Sequence, residues 1–165
     1  PGFKLRKKVI MLNKTINKPT NLTQQDLADI KQAILNAELD TSGELRVHIE
    51  NVCPGDVMDR AAYVFEKLGI HKTQKRNGVL FYLAVKNRKF AVIGDAGINA
   101  VVPESFWNEL KMEMLNYFRE NEFVDGLIHG ITRTADYLRR FFPYKNGDVN
   151  ELPDEISFGG DMNTN

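Results

Sequence analysis

The sequence predicts a single α/β domain, in which a small mixed sheet is flanked by about four helices. Residues 44–50 alternate strictly between apolar and polar side chains, which is typical of a strand. Residues 79–85 form a continuous apolar run, which is typical of a central strand buried on both faces. Four other segments place apolar residues at helical intervals. A chain of 165 residues with 42% hydrophobic content can bury one ordinary core, so one domain is expected.

The helices are predicted from apolar periodicity and from the residues at their ends. They span residues 22–39, residues 56–68, a segment that opens at Pro103 and a segment that Asp125 caps. Thr23 and Asp26 have the spacing of a capping box at the start of the first helix, and Gly69 ends the second. Phe106 and Trp107 share helical spacing with core positions, so we expect them in the core rather than in a cleft.

The three predicted strands span residues 44–50, 79–85 and 89–93, and a tight turn at Asn87 and Arg88 joins the last two. A β-α-β connection is right-handed and parallel in nearly all sheets, so the first two strands should run in one direction and the third against them. The starts of the first two strands and the end of the third should therefore lie at one end of the sheet. The alternation in residues 44–50 also predicts that the core covers the first strand mainly on its apolar side.

Charge divides the chain into three parts: residues 1–21 as a basic flexible segment, residues 22–144 as the domain, and residues 145–165 as an acidic, partly ordered tail. The first part carries six cations and no acid, which leaves 16 cations against 22 acids, a net charge of −6, for the remainder. That sign opposes binding to a phosphate backbone, so no nucleic acid partner is expected. The basic segment is expected to be a solvated arm, and the alternative is that it touches RNA or a membrane surface.

The cysteine, histidine and apolar residues of the sequence argue against disulfides, common zinc sites, a membrane span and a signal peptide. Cys53 is the only cysteine, which excludes an intrachain disulfide and a four-cysteine zinc site and favours a reducing cytoplasm. His48, His71 and His129 lack the spacing of a helical zinc pair. The longest apolar run, residues 78–85, is far shorter than the roughly 20 residues that cross a bilayer, and the apolar stretch after the basic start is too short for a signal peptide.

Five separated motifs occur in order along the chain. They are residues 41–47 (TSGELRV), 76–80 (RNGVL), 90–98 (FAVIGDAGI), 106–107 (FW) and 150–156 (NELPDEI). Together they resemble the TPM domain family, formerly a domain of unknown function, over about residues 22–158. The chain is similar to the soluble bacterial branch of that family, in which the domain stands alone.

The resemblance implies a three-layer α/β/α sandwich. It also implies binding of a divalent cation, Ca²⁺ rather than Mg²⁺, as in some members of the family, and a phosphatase activity of the kind attributed to a plant thylakoid-lumen relative. In this chain that activity is expected to be weak and metal-dependent. The implied partners are a metal ion and either a phosphate-ester substrate or a protein, and the chain is expected to be a monomer. The alternative is a non-catalytic protein-interaction module whose cleft or bound metal is structural.

The end of the sheet that carries the motifs offers oxygen ligands for a cation. Glu44 and Asp95 supply carboxylate oxygens, Asn77 supplies a carbonyl oxygen, and Gly97 lets the backbone approach a ligand closely. Ca²⁺ and Mg²⁺ prefer such oxygens, and Ca²⁺ tolerates irregular loops. The alternative is that Asn77 and Asp95 make turn hydrogen bonds and that Glu44 pairs with a nearby arginine.

A second candidate metal set comprises Asp56, Asp59 and Asp125, which are expected at the opposite end of the sheet. The first two also suit the first turn of a helix, where acidic side chains favour the macrodipole without any metal.

If this chain cleaves phosphate esters, a metal-activated water is the remaining candidate nucleophile. Cys53 follows a strand, but Asp59 stands where a cysteine phosphatase needs its arginine, and an acid there would repel phosphate. If the protein is an enzyme, the candidate catalytic residues are Asp95, which would hold the metal with Glu44, and Arg76, which would neutralise the phosphate.

Overall fold

The structure is a computed structural model that describes residues 22–145 and 156–159 with their side chains and residues 9–13 as backbone. The strands are β1 (Val9–Asn13), β2 (Glu44–Glu50), β3 (Gly78–Ala84), β4 (Lys89–Gly94) and β5 (Ser157–Phe158). The helices are α1 (Gln24–Glu38), α2 (Val57–Lys67), α3 (Ala96–Asn99), α4 (Phe106–Arg119) and α5 (Phe123–Phe141), with a 3-10 turn at Ile70–Lys72.

The strands form one mixed sheet in the order β1-β4-β3-β2-β5. Strands β2 and β3 are parallel and β4 is antiparallel to β3, which confirms the predicted directions. The two edge strands were not predicted: β1 lies within the segment that was expected to be flexible, and β5 lies within the acidic tail. β1 is the short apolar run of residues 9–12 extended by one residue, and a run of that length gives no periodicity from which a strand could be recognised.

Two apolar cores lie on the two faces of the sheet. Helices α1, α4 and α5 cover one face and pack against side chains such as Val47 and Phe81. Helix α2 covers the other face and packs against side chains such as Leu80. This arrangement confirms the three-layer α/β/α sandwich. Phe106 and Trp107 are 1% and 2% exposed and belong to the first core, as predicted.

The helix ends differ in detail from those expected. Thr23 and Asp26 form the predicted capping box at α1. Helix α5 begins at Phe123, so Asp125 lies in its first turn and does not cap it, which corrects the predicted start. The four-residue helix α3 is too short to show a periodicity and was not predicted. None of the helices in the described part of the chain is both long and apolar enough to cross a membrane.

The polar side of β2 is buried, which corrects the expectation that the core covers this strand mainly on its apolar side. All seven residues of β2 are buried. Glu50 accepts two hydrogen bonds from Arg60 of α2, at 2.8 and 2.9 Å, and another from the hydroxyl of Tyr82. The ring of the fully buried His48 stands with Nε2 3.5 Å from Oε1 of Glu50. Because Arg60 of α2 supplies a positive charge on this face, the carboxylate of Glu50 can be buried.

The start of β2, the segment before β3 and the turn after β4 converge at one end of the sheet, as predicted, whereas residues 150–155 of the last motif lie outside the described residues. Glu44 pairs with Gly78 in the parallel ladder, and the main-chain N–H of Asp95 donates to the carbonyl oxygen of Gly78 at 3.0 Å. The N–H of Gly97 donates to the carbonyl oxygen of Arg76 at 2.7 Å. The segment that leads into β3 therefore lies directly against the segment that leaves β4.

We expect Gly97→Ala to destabilise the fold by about 3 kcal/mol or more, because overpacking against groups that cannot rotate away is costly. An added Cβ would lie 2.1 Å from the carbonyl oxygen of Lys75 and 2.7 Å from that of Arg76. The measurement is the free energy of unfolding in urea.

Gly55→Ala is the matched control. Gly55 has a φ of +78°, and beyond its chain neighbours no atom of the described residues lies within 4 Å of an added Cβ, so only the left-handed backbone is penalised, by about 1–2 kcal/mol. Equal losses in the two variants would contradict the close contact at Gly97.

Glu50 should give stability that depends on pH. Burial opposes its ionisation, but the hydrogen bonds from Arg60 and Tyr82 outweigh burial and hold the pKa of the carboxyl below its ordinary value of 4.5. Since the folded-state pKa is lowered, this contribution is complete above about pH 4.5 and is lost as the pH falls through the lowered value. We expect Glu50→Gln to cost about 3 kcal/mol near neutral pH.

That cost should shrink below about pH 4.5, which urea unfolding of both proteins across this range would measure. Glu66→Gln is the control, because Glu66 is an exposed acid on the same helix as Arg60. It should change stability by less than about 0.5 kcal/mol. A Glu50→Gln deficit that does not vary with pH would show that the carboxylate is not paired as described.

Candidate functional site

The sheet brings three of the predicted metal ligands to one end and buries them there. Glu44 is 2% exposed, Asn77 1% and Asp95 0%. The main chain holds them together, since the N–H of Glu44 donates to the carbonyl oxygen of Asn77 at 3.4 Å. Gly97 lies beside them in α3, where its N–H is already bonded to the loop before β3. The residues named from the sequence are therefore neighbours, and their individual contacts decide what they can bind.

Asp95 is bound by Arg76 through both carboxylate oxygens. The guanidinium Nε lies 2.6 Å from Oδ2 and Nη2 lies 2.7 Å from Oδ1, which is the bidentate geometry of a strong charge-assisted pair. Oδ1 also accepts the N–H of Ala96 at 2.7 Å. The hydrogen bond to Asp95 raises the pKa of Arg76 above its ordinary value, so the guanidinium is always charged. This pair joins the start of β3 to the end of β4.

The motif glycines at the end of β4 are required by packing. A Cβ at Gly94 would lie 2.7 Å from the ring of Trp107, whose Nε1 donates to Oδ1 of Asn99 at 2.8 Å. The Nδ2 of Asn99 in turn donates to the carbonyl oxygen of Gly94 at 2.6 Å. At Gly97 the space of a side chain is taken by the loop carbonyl of Lys75. The close approach expected at Gly97 is thus made by the protein's own backbone, and the space beside Gly94 is likewise filled by the protein.

Asn77 has one side-chain atom that the rest of the described chain does not satisfy. Its main-chain N–H donates to the hydroxyl of Thr73 at 3.1 Å, and its Nδ2 donates to the hydroxyl of Ser42 at 3.4 Å. Its carbonyl oxygen, Oδ1, is buried and has no hydrogen-bond partner among residues 22–145 and 156–159. A buried acceptor without a donor is costly, and a cation is one group that would satisfy it.

These contacts divide the predicted ligand set. Asn77 offers a buried oxygen that suits a hard cation, and Glu44 is a buried carboxylate at the same end of the sheet. Asp95 fits less well, because its oxygens are committed to Arg76 and Ala96. Within the residues that the structure describes, no group of three or more histidine, cysteine, aspartate or glutamate side chains is arranged to hold a metal ion.

The second candidate set is split between the two faces of the sheet. Asp56 caps α2 by accepting the N–H groups of Met58 and Asp59, at 2.9 and 3.1 Å, and it is exposed. Asp59 is exposed in the first turn of that helix. Asp125 lies in the first turn of α5 on the opposite face, in a cavity that Asp26 and Asp29 of α1 also line. The role that Asp56 plays in the structure is that of an N-cap.

A second polar cluster was not predicted from the sequence. It comprises His48, Glu50, Arg60, Tyr82 and Ser157. The rings of His48 and Tyr82 are stacked at 5.9 Å, and Nδ1 of His48 lies 2.8 Å from the hydroxyl oxygen of Ser157. Burial and the hydrogen bond to Glu50 raise the pKa of Tyr82 far above its ordinary value. The signal available in the sequence was three ionisable side chains, Arg46, His48 and Glu50, on one side of β2, next to a strand whose only polar side-chain group is the hydroxyl of Tyr82.

Comparisons with known proteins agree with this architecture. The family model of the TPM domain matches residues 17–137, which is more than half of the chain. Among solved structures, the NMR structure of BA42 protein from the psychrophilic bacterium Bizionia argentinensis is similar with 41% sequence identity and a TM-score of 0.77. That similarity covers 85% of this chain and 97% of BA42. Comparison with curated proteins gives no match. The family model, the shared fold and the order of the motifs together show that the chain belongs to the TPM domain family.

Proposed function

We propose that this chain is a non-catalytic TPM domain that binds a divalent cation at the motif-bearing end, with Asn77 and Glu44 as its side-chain ligands. The observation that carries the proposal is the buried carbonyl oxygen of Asn77, which has no hydrogen-bond partner in the described part of the chain. Leaving such an atom unsatisfied costs about 1–3 kcal/mol. A hard cation would recover that cost, and Glu44 supplies the negative charge that the site needs.

Ca²⁺ suits this end of the sheet better than Mg²⁺. Mg²⁺ demands a regular octahedron at short distances, whereas Ca²⁺ accepts carbonyl oxygens and irregular loop geometry. The proposed side-chain ligands carry a single negative charge, so the affinity should be low, with a Kd of about 10⁻⁴–10⁻³ M. An ion held this weakly acts mainly on the stability of the end of the sheet.

The Arg76–Asp95 pair is the reason to prefer a non-catalytic role. Hydrolysis of a phosphate ester, which the family resemblance implies, would need Asp95 to hold a metal and Arg76 to meet the phosphate. These two side chains are instead hydrogen-bonded to each other, with nitrogen-to-oxygen distances of 2.6 and 2.7 Å. Removing one partner of a buried pair costs about 3–5 kcal/mol, and the exposure of Arg76, 38%, places this pair at the lower end of that range.

Calcium should stabilise the protein and shift a small set of signals. At ten times the Kd a ligand raises the free energy of unfolding by about 1.4 kcal/mol. We expect a Ca²⁺ titration to shift the backbone amide signals of Glu44, Asn77, Asp95 and Gly97, and thermal unfolding to show the matching stabilisation. Shifts centred on Asp56 or Asp125 would move the cation to the second candidate set.

Asn77→Leu tests the ligand, because it keeps the approximate volume and removes the carbonyl oxygen. This variant should lose the stabilisation by Ca²⁺. Ser42→Ala is the matched control: it removes the hydroxyl that accepts from Nδ2 of Asn77 but keeps Oδ1. It should keep the Ca²⁺ response. An Asn77→Leu protein that responds to Ca²⁺ as the wild type does would overturn the assignment.

A non-catalytic domain should not turn over phosphate esters. We expect highly purified, Ca²⁺- or Mg²⁺-loaded protein to hydrolyse p-nitrophenyl phosphate no faster than Asp95→Asn, with circular dichroism used to confirm that the variant is folded. Metal-dependent hydrolysis by the wild type that disappears in a folded Asp95→Asn protein would restore the phosphatase function.

A further inference from the structure

The segment Ile156 to Gly159 lies along the outer edge of β2, away from the motif-bearing end. Ser157 pairs with His48 and Phe158 pairs with Ile49 in a parallel ladder of two residues. By comparison, β2 and β3 share a ladder of seven residues. Residues 146–155 connect this segment to Lys145. Strand β5 is therefore a short element, attached to the edge of the sheet through few main-chain contacts.

Side-chain contacts fix the position of β5 on the edge of β2. The hydroxyl of Ser157 donates to the carbonyl oxygen of Val47 at 3.2 Å, and its oxygen lies 2.8 Å from Nδ1 of His48. Ser157 is 4% exposed and His48 is fully buried. The other ring nitrogen of His48 faces Glu50, which Arg60 holds from α2. The edge of β2 thus offers polar partners, the carbonyl oxygen of Val47 and the ring of His48, to a small hydroxyl side chain.

The neighbours of Ser157 add two further requirements. A Cβ on Gly159 would lie 2.8 Å from Cβ of Glu50, so that position accepts a residue without a side chain. Ile156 packs against the larger apolar core, whereas Phe158 is 39% exposed. Ile156 and Ser157 therefore both enter the protein while Phe158 faces outwards, and pockets for individual side chains of this kind give specificity when an extended peptide is recognised by strand addition.

We propose that the outer edge of β2 is a peptide-docking site that recognises an extended segment of the form apolar-Ser-x-Gly, and that β5 is its intramolecular occupant. A strand with the same pattern, supplied by another molecule, replaces β5 when the tail is released. Main-chain hydrogen bonds to β2 supply affinity, and His48 and Glu50 select the hydroxyl and the glycine. This inference does not depend on cation binding at the other end of β2.

Because β5 belongs to the same chain, it competes with any free peptide for the outer edge of β2. A segment joined by a short connection competes at an effective concentration in the millimolar range, so a free peptide binds the wild type poorly. Ser157→Val removes the hydroxyl from the pocket and should release the strand. The full-length variant then offers the edge of β2 to a peptide in trans.

The experiment uses the synthetic peptide EISFGGD, which copies residues 155–161. We expect it to bind full-length Ser157→Val at least tenfold more tightly than the wild type and to shift the amide signals of Val47, His48 and Ile49. Two control peptides replace the serine by valine or the first glycine by alanine, and both should bind at least tenfold more weakly. Gly159→Ala is the alternative host if Ser157→Val does not fold.

Hydrogen exchange of the wild-type protein gives an independent test. If β5 opens by itself, the amides of Ser157 and Phe158 exchange faster than those in the β2–β3 ladder and without global unfolding. Exchange of both sets only on global unfolding would overturn the proposal. It also fails if neither host binds the peptide at millimolar concentration, or if the valine peptide binds as well as the serine peptide. Binding that only links two full-length copies would identify the occupant as a second molecule of this chain.

Discussion

The parallel pairing of β2 and β3 is the constraint on which the rest of the structure depends. Seven consecutive pairs, from Glu44 with Gly78 to Glu50 with Ala84, align the two strands without a break. Parallel strands need a crossover, and α2 with its following turn provides it over one face of the sheet. The hairpin then returns β4 beside β3, so the turn that leaves β4 meets the starts of β2 and β3. Both polar regions of the molecule follow from this register.

The two ends of β2 use polar side chains in different ways. At its start, the Arg76–Asp95 pair and the close-packed glycine turn hold the loops together, and one amide oxygen of Asn77 has no donor among the described residues. Towards its end, Glu50 has three hydrogen-bond donors from two neighbouring elements. A buried carboxylate with all these donors favours a single arrangement of its neighbours, whereas an unsatisfied buried acceptor marks a place where a further group can bind.

The central architecture could be predicted from the sequence because local patterns determine it. Alternation in β2, the apolar run in β3 and the short turn before β4 identified the strands, and handedness supplied their directions. The edge strands could not be predicted in this way, since Ser157 and Phe158 form a strand only through pairing with distant residues. The same holds for the site. Proximity of Glu44, Asn77 and Asp95 followed from topology, but the commitment of Asp95 to Arg76 depends on side-chain geometry that spacing does not contain.

Trp107 is the only tryptophan in the chain, and its ring lies against Gly94 while its Nε1–H is held by Asn99. The single indole therefore stands directly beneath the turn that carries Asp95. Its emission colour and intensity depend on whether the ring is dry and hydrogen-bonded, so the protein contains its own optical probe of this turn. Loosening of the loops that meet there would become visible in the fluorescence of the unlabelled molecule.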